Sequence, residues 1–268
     1  MQQVELQIAL LKKSFMVITT DEELQGMQKV SDAVAITLKK LKDYTEIGMS
    51  TKQIDDYCRQ TLEQLGAKSA PFETYKFPGY ACISVNEAFA HGVPSDKVIL
   101  KEGDIINIDV SAELGGFWSD NGCSFIVGED RQGLQHLVDT SQETLLEAIA
   151  QISGGVRIAD IGKLIENKAK RAGYMVIRDL GGHGIGRSLH EAPDAIMNYY
   201  DRHDTARRFR KDSVVAIETF ISTKSANIQT EADGWTFTGS KGGFVAQHEH
   251  TILITSGKPI ILTAANGI

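Results

Sequence analysis

Two acids, Asp109 and Asp120, lie in the stretch from Ile105 to Val127, IINIDVSAELGGFWSDNGCSFIV, inside segments that otherwise read as buried strands. In the first arm Ile106, Ile108 and Val110 alternate with Asn107, Asp109 and Ser111, the period of two that gives a strand one apolar and one polar face. The second arm, Phe117 to Val127, is rich in β-formers, and Gly115-Gly116 between the arms signals a turn. A hairpin closing symmetrically about Leu114-Gly115 places Asp109 directly opposite Asp120, where Cβ atoms stand roughly 4.5 to 5.5 Å apart and like charges repel. Such a pair requires neutralisation. Either one carboxyl keeps its proton, as in an acid dyad, or cations sit between the two. The dyad needs nothing more, whereas cations require further acids and a histidine. A bulge would instead break the register and send each acid separately to solvent or to a turn.

Further candidates follow along the chain. Glu218 in VVAIETFIS and Glu249 in FVAQHEHTILIT are embedded among apolar residues in the same manner. The stretch LGGHGIGRSLHEAP carries His183 and His190 among glycines. It lacks the G-x-G-x-x-G spacing ahead of a helix that a phosphate loop uses, so its glycines are read as bending the backbone until both histidines reach a common site. In ACISVNEAFAHGVP, Asn86, Glu87 and His91 come just past a short apolar strand, where polar side chains can reach a cleft. Taken singly, a strand acid usually faces water and a lone histidine is usually hydrogen-bonded structure. Four embedded acids with an imidazole on a glycine-rich turn form an oxygen-rich donor set, suited to divalent manganese, iron, cobalt or zinc rather than to a thiolate site.

The elements that must position these residues are legible in outline. Asp21 to Tyr44 has Leu24, Met27, Val30, Val34, Leu38 and Leu41 at helical spacing behind an acidic first turn; a second helix runs from about Ser50 to Leu65, stopped by Gly66. Pro71, Pro78, Gly79 and several aromatics then mark a loop-and-strand region. Asp130 to Ala150 and Ile158 to Ala172 read as amphipathic helices covering a sheet, and NYYDRHDTARRFRKD as an exposed loop. GGFWSDNGCSFIV and GGFVAQHEHTILI echo each other, with Asp120 and Glu249 offset by two positions, which hints at two similar halves around a central site. The 268 residues, 42% hydrophobic, suffice for a full core, and a net charge of −7 with pI near 5.5 argues against nucleic acid or an anionic membrane as the main partner. Three cysteines, Cys58, Cys82 and Cys123, without finger spacing fit a reducing cytoplasm. No apolar run approaches the roughly 20 residues of a membrane span, and MQQVELQIALLKKSF has its charges in the wrong order for a secretory signal.

Together HGVPSD, INIDVSAELGGFWSDNG, GGHGIGRSLHEAP, AIETFIS and AQHEHTILIT, in this order, resemble the methionine aminopeptidases, specifically the type I enzymes of that metallopeptidase family. The resemblance begins near Val17, leaving residues 1–16 as an N-terminal extension to a single catalytic domain, 17–268. It implies the pita-bread fold, an α+β two-layer architecture of pseudo-twofold halves with helices covering a curved antiparallel sheet. It also implies Asp109, Asp120, His183, Glu218 and Glu249 as ligands of two divalent ions that activate a hydroxide against the first peptide bond. Glu218 is then the proton shuttle, with His190 at the oxyanion and His91 at the leaving nitrogen. The implied substrate contacts are His91, His190, Cys82, Phe77, Phe220, Trp235 and Gln247, and the implied partners are peptide and nascent-protein N-termini, with the ribosome as a further candidate and a monomeric state. Thr219, Leu189, Thr74 and Phe77 depart from the family's usual proline, aromatic and tyrosines, which bears on the strictness of methionine preference. Alternatives on this fold are an Xaa-Pro aminopeptidase or dipeptidase, which carries a large extra N-terminal domain, and a metal-free binding protein, which has no reason to keep four buried acids.

Overall fold

The computed structural model describes residues 16–267, so the MQQVELQIALLKKSF segment falls outside the described residues. Helix α1, Asp21–Tyr44, starts where the Thr20 side chain accepts the amide of Glu23, and Asp21, Glu22 and Glu23 fill the turn where the helix dipole favours negative charge. Its Met27, Val30, Val34, Leu38 and Leu41 are buried, as the spacing predicts. Helix α2, Thr51–Gln64, opens on a reciprocal capping box between Ser50 and Gln53. The following region is not only loop and strand. Helix α3, Ala70–Tyr75, forms there because Pro71 occupies the first turn, where no amide hydrogen is needed, and Ser69 accepts from the amide of Phe72. Helix α4 spans Gln135–Ala150, starting later than its periodicity predicts because the Asp130 carboxylate accepts the amides of Leu134 and Gln135 and holds the preceding residues in a turn. Helix α5 is Ile158–Arg171. Among the described residues no helix is long and apolar enough to cross a membrane.

Seven strands of one antiparallel sheet concern the site: β1 (Cys82–Val85), β2 (Ile105–Leu114), β3 (Phe117–Ile126), β4 (Gly181–Gly184), β5 (Glu191–Met197), β6 (Val214–Ser222) and β7 (Val245–Leu253). Their spatial order is β2-β3-β7-β6-β4-β5, with β1 also paired to β2. Strands β3 and β7 meet at the centre through Cys123 and His248. On one side α1 and α2 cover β2 and β3 through a core that includes Val34, Leu38, Ile54, Ile106 and Ile108. On the other, α4 and α5 cover β6 and β7 through Leu137, Leu145, Ile161, Ile217 and Ile252. Each half is thus a strand pair with two helices on one face, and the opposite face of both pairs is left for the polar residues that alternate with the core.

The hairpin register differs from the symmetric closure expected. The loop is Gly115-Gly116 alone, with φ of 63° and 82°, the two-residue turn whose twist matches paired strands and which requires positive φ at both positions. Leu114 therefore faces Phe117, Asp109 faces Gly122, and Asp120 faces Ser111. The slip of two keeps both acids on one face as diagonal neighbours rather than a facing pair. In the second half Glu218 does face Glu249. Gly122 is thus the counterpart of Glu249, and this accounts for the offset between the two echoing sequences.

Two loop expectations also change. In NYYDRHDTARRFRKD, Asn198 and Phe209 are buried; Asn198 donates to the Glu218 carbonyl and accepts the Phe220 amide, both at 3.1 Å, and so steadies β6 at Glu218. Asn86 does not reach a cleft. It bonds Asp104 at 2.8 Å and the Ile105 amide at 3.2 Å, closing the entry to β2.

Candidate metal centre and substrate cavity

On the face away from the helices, β2 brings Asp109, β3 Asp120, β4 His183, β6 Glu218 and β7 Glu249 to one place. Ligand atoms of Asp120, His183 and Glu249 lie within 4.8 Å of one another, and His183 Nε2 is 3.9 Å from Asp120 Oδ2. The carboxyls of Asp109 and Asp120 lie close enough to influence each other's protonation. Gln247 ties the other two together, its amide nitrogen donating to Glu218 Oε2 at 3.3 Å and Glu249 Oε2 at 3.0 Å while its oxygen accepts from Asn107 at 2.8 Å. Glycine at 122 makes room for this amide, since a Cβ there would lie 2.4 Å from Gln247 Oε1.

The electrostatics of this cluster are unfavourable as four anions. Burial pushes Asp109 up to about 6; burial, then the Asp109 charge, pushes Glu218 up to about 8. Asp120 and Glu249 are driven well above the carboxylate range, first by burial and then by their acidic neighbours. Burial pushes His183 down to about 3, which keeps its imidazole neutral. With Nδ1 2.9 Å from the Gly184 carbonyl oxygen, the ring proton sits on Nδ1 and Nε2 presents a lone pair to the acids. Glu249 Oε1 is buried without a hydrogen-bond partner, an arrangement that is costly unless something positive meets it. Carboxylate oxygens, one neutral imidazole and an orphaned buried acceptor fit divalent cation binding.

Above the acids is a cavity of about 100 Å³, walled by Phe77, Cys82, His91, Leu189, His190 and Trp235, with Asp109, Asp120, His183 and Glu218 also on its lining. It is smaller than the roughly 300–1,000 Å³ of sites for drug-sized ligands, a size suited to one side chain. Phe77 and Trp235 meet edge to face at 5.3 Å. His91 holds a left-handed backbone, φ 51°, with its ring 4.7 Å from that of Phe237. Two residues expected at the substrate lie off the wall: Phe220 packs into a core cluster with Phe89, Ile177 and Val245, and Gln247, 1% exposed, lies beneath the carboxylates. Pro71, Tyr75 and Ser111 line the cavity without having been singled out from the sequence. The aromatic clustering in PFETYKFPGY is the signal that points to Tyr75. A larger cleft of about 640 Å³ lies between α5 and residues 199–203. Its Glu166 is paired with Lys170 and Arg178, and the metal donors belong to the smaller cavity.

Buried acids and a neutral histidine on the sheet of a two-half α+β fold define a metal-dependent hydrolase of pita-bread architecture. The chain belongs to metallopeptidase family M24, whose model matches residues 25–256. Within that family it stands with the methionine aminopeptidases. It is 48% identical over 248 residues to methionine aminopeptidase 2 of Bacillus subtilis (strain 168), covering 92% of this chain and 99% of that protein. It is 39% identical over 249 residues to a methionine aminopeptidase of Staphylococcus epidermidis, covering 92% and 98%. The crystal structure of a methionine aminopeptidase from Thermotoga maritima matches with a TM-score of 0.86 at 35% identity, covering 92% of this chain and 99% of that one. These relatives support the methionine reading and not the Xaa-Pro alternative.

Proposed function

We propose that this protein removes the N-terminal methionine from peptides and nascent proteins, using Asp109, Asp120, His183, Glu218 and Glu249 to hold two divalent ions. The observation that carries the reading is the convergence of four acids, Asp120 and Glu249 buried and Asp109 and Glu218 half-buried, with a neutral histidine beneath a one-side-chain cavity. When bound, the ions supply the Lewis acidity that polarises the scissile carbonyl and acidifies a water. The chain's own residues do the rest. The aromatic and sulfur-bearing wall, Phe77, Trp235 and Cys82, takes an unbranched thioether, which gains from sulfur–aromatic contact. Glu218, half-buried on the cavity lining, carries the proton toward the departing amine. His190 donates to the carbonyl oxygen as charge develops there, and His91 addresses the scissile nitrogen. Gln247 holds the carboxylates rather than the substrate, and Asn107 holds Gln247, in keeping with their place below the floor. The buried, unpaired thiols Cys58 and Cys123 are in keeping with work in the reducing cytoplasm.

The test is a first-residue series of short peptides, methionine against leucine, norleucine, alanine and proline-following sequences, with metal content measured in parallel. Cleavage confined to methionine and its unbranched analogue, and proportional to bound metal, is the expected result. Cleavage that requires proline at the second position, or that is indifferent to metal, overturns the reading.

A further inference from the structure

Two histidine rings stand side by side at the cavity, those of His183 and His190, 4.2 Å apart between centroids. Their outer nitrogens meet different partners. His183 Nδ1 meets a carbonyl oxygen, Gly184, which can only accept, so the His183 proton resides on Nδ1. His190 Nδ1 meets the hydroxyl of Tyr75 at 2.7 Å. A phenol is the stronger donor of the two groups and an imidazole nitrogen the stronger acceptor, so this bond forms as Oη–H to Nδ1 and the His190 proton resides on Nε2. One neighbour thereby presents a lone pair and the other an N–H.

We infer that Tyr75 is a positioning residue, which fixes His190 in the Nε2–H tautomer and holds that donor toward the substrate carbonyl. The inference rests on the proposed role of His190. The surrounding structure supports a fixed geometry. The His190 loop is pinned at Glu191, whose buried carboxylate accepts the amides of Met16 and Arg187 at 2.6 Å and of Ser188 at 2.8 Å. The Ser188 hydroxyl donates to the His190 carbonyl at 3.0 Å. Tyr75 comes from the last turn of α3, which ends at Lys76 in the left-handed region, φ 59°. That ending sends Tyr75 and Phe77 to the same cavity.

The experiment uses zinc-loaded protein, which is diamagnetic, with nitrogen-15 in its histidines. Long-range proton–nitrogen spectra, with the His190 signals assigned by their loss in His190→Ala, should show Nε2 protonated and Nδ1 accepting. In Tyr75→Phe, which keeps the ring and loses the hydroxyl, the same signals should move toward a tautomer mixture. The kcat for Met-Ala-Ser should fall ~10-fold, in the range seen when the outer partner of an active-site histidine is removed, with KM changed by less than about twofold. Adding Tyr75→Phe to His190→Ala should cost nothing further. A His190 protonated on Nδ1, or a Tyr75→Phe protein with unchanged spectrum and kcat, overturns the inference. If His190→Ala itself leaves kcat intact, the role of His190 in the proposed function fails, and the tautomer spectrum then reports separately on whether Tyr75 orients the ring.

Discussion

Stripping the metal should give this protein an inverted pH response, with a size that follows from the buried acids. Glu218 rises from 4.5 to about 8 on folding, so between those values the folded chain holds a proton that the unfolded chain has released. Unfolding then releases protons, and stability falls as pH rises, by ~1.4 kcal/mol per pH unit for each such proton. Four histidines work the other way: His91 and His250 are lowered by burial to about 4, and His183 and His248 to about 3. Their contribution is complete above the unfolded value of 6.5 and is lost as pH falls below it. The window that isolates the acids best is pH 6.5 to 8: there the histidines are neutral in the fold, and the protonation left in the unfolded chain restores only ~0.4 kcal/mol each as it disappears, while the thiols, pushed up by burial from 9.0, have not begun to ionise in the fold. Over that window Glu218 removes about 2 kcal/mol, most of which the four histidines offset, so the net loss comes from Asp120 and Glu249, raised in the same direction. Urea unfolding of chelator-treated protein should show the loss, and zinc-loaded protein should not. Calorimetry of metal binding at pH 7 in buffers of different ionisation heat should register the release of at least about one proton from these carboxyls. Metal-free protein as stable at pH 8 as at 6.5, or binding without proton release, would refute the electrostatic picture of the site.

Other consequences are simpler to read. Added cobalt or manganese should restore Met-Ala-Ser cleavage to chelated protein but not to Glu218→Ala; equal recovery in both would remove the assigned role. Asp109→Asn should lower metal content measured by elemental analysis while leaving the far-ultraviolet circular dichroism unchanged, so unaltered occupancy would contradict its place among the ligands. Gly122→Ala should push the Gln247 amide off Glu218 and Glu249 and weaken metal affinity ~10-fold or more in a folded protein. An unchanged dissociation constant would show that Gln247 is not needed to hold them.

The four acids drew attention because a charged residue inside an apolar segment demands compensation, whereas the choice of His183 over His190 as a ligand came only from the family resemblance. Helices α1 and α2 were legible, the first from its apolar spacing behind an acidic first turn and the second from its start at Ser50 and stop at Gly66. The register of β2 and β3 was not. Symmetric closure about Leu114-Gly115 and closure on Gly115-Gly116 differ by a shift that preserves the face of every side chain, so hydrophobic pattern cannot separate them; only the positive φ of both glycines does. Helix α3 was hidden because Pro71 and Pro78 read as breakers, although proline is well tolerated in a first turn. Missing that helix meant missing Tyr75. Gln247 was expected at the substrate and Asn198 in an exposed loop: their polarity is visible in the sequence, but which carboxylate or carbonyl they hold depends on strands that meet only in the fold.

Asp109 lies between the core residues Ile108 and Val110, but Asp120, Glu218 and Glu249 each have a polar neighbour that points to the helices. Ser119, beside Asp120, bonds Ser31 of α1 at 3.0 Å. Thr219, beside Glu218, bonds Ser141 of α4 at 2.9 Å, and Ser141 reaches His248, beside Glu249, at 3.1 Å. A buried hydroxyl or imidazole without a partner costs roughly 1–3 kcal/mol, so a strand that slides along its helix layer breaks these bonds at once. The two layers are therefore keyed to each other in both halves, and the key lies one residue from the ligands. This gives a physical place to Thr219, where the family resemblance leads to the expectation of proline: its hydroxyl is buried but satisfied by Ser141 on the helix side. The departures that do face the substrate, Leu189 and Phe77, lie on the cavity wall instead. Variation in this chain is thus divided by the pleat, with the floor that holds charge kept rigid from behind and selectivity left to the wall, where one methylene moves discrimination by only ~1–3 kcal/mol.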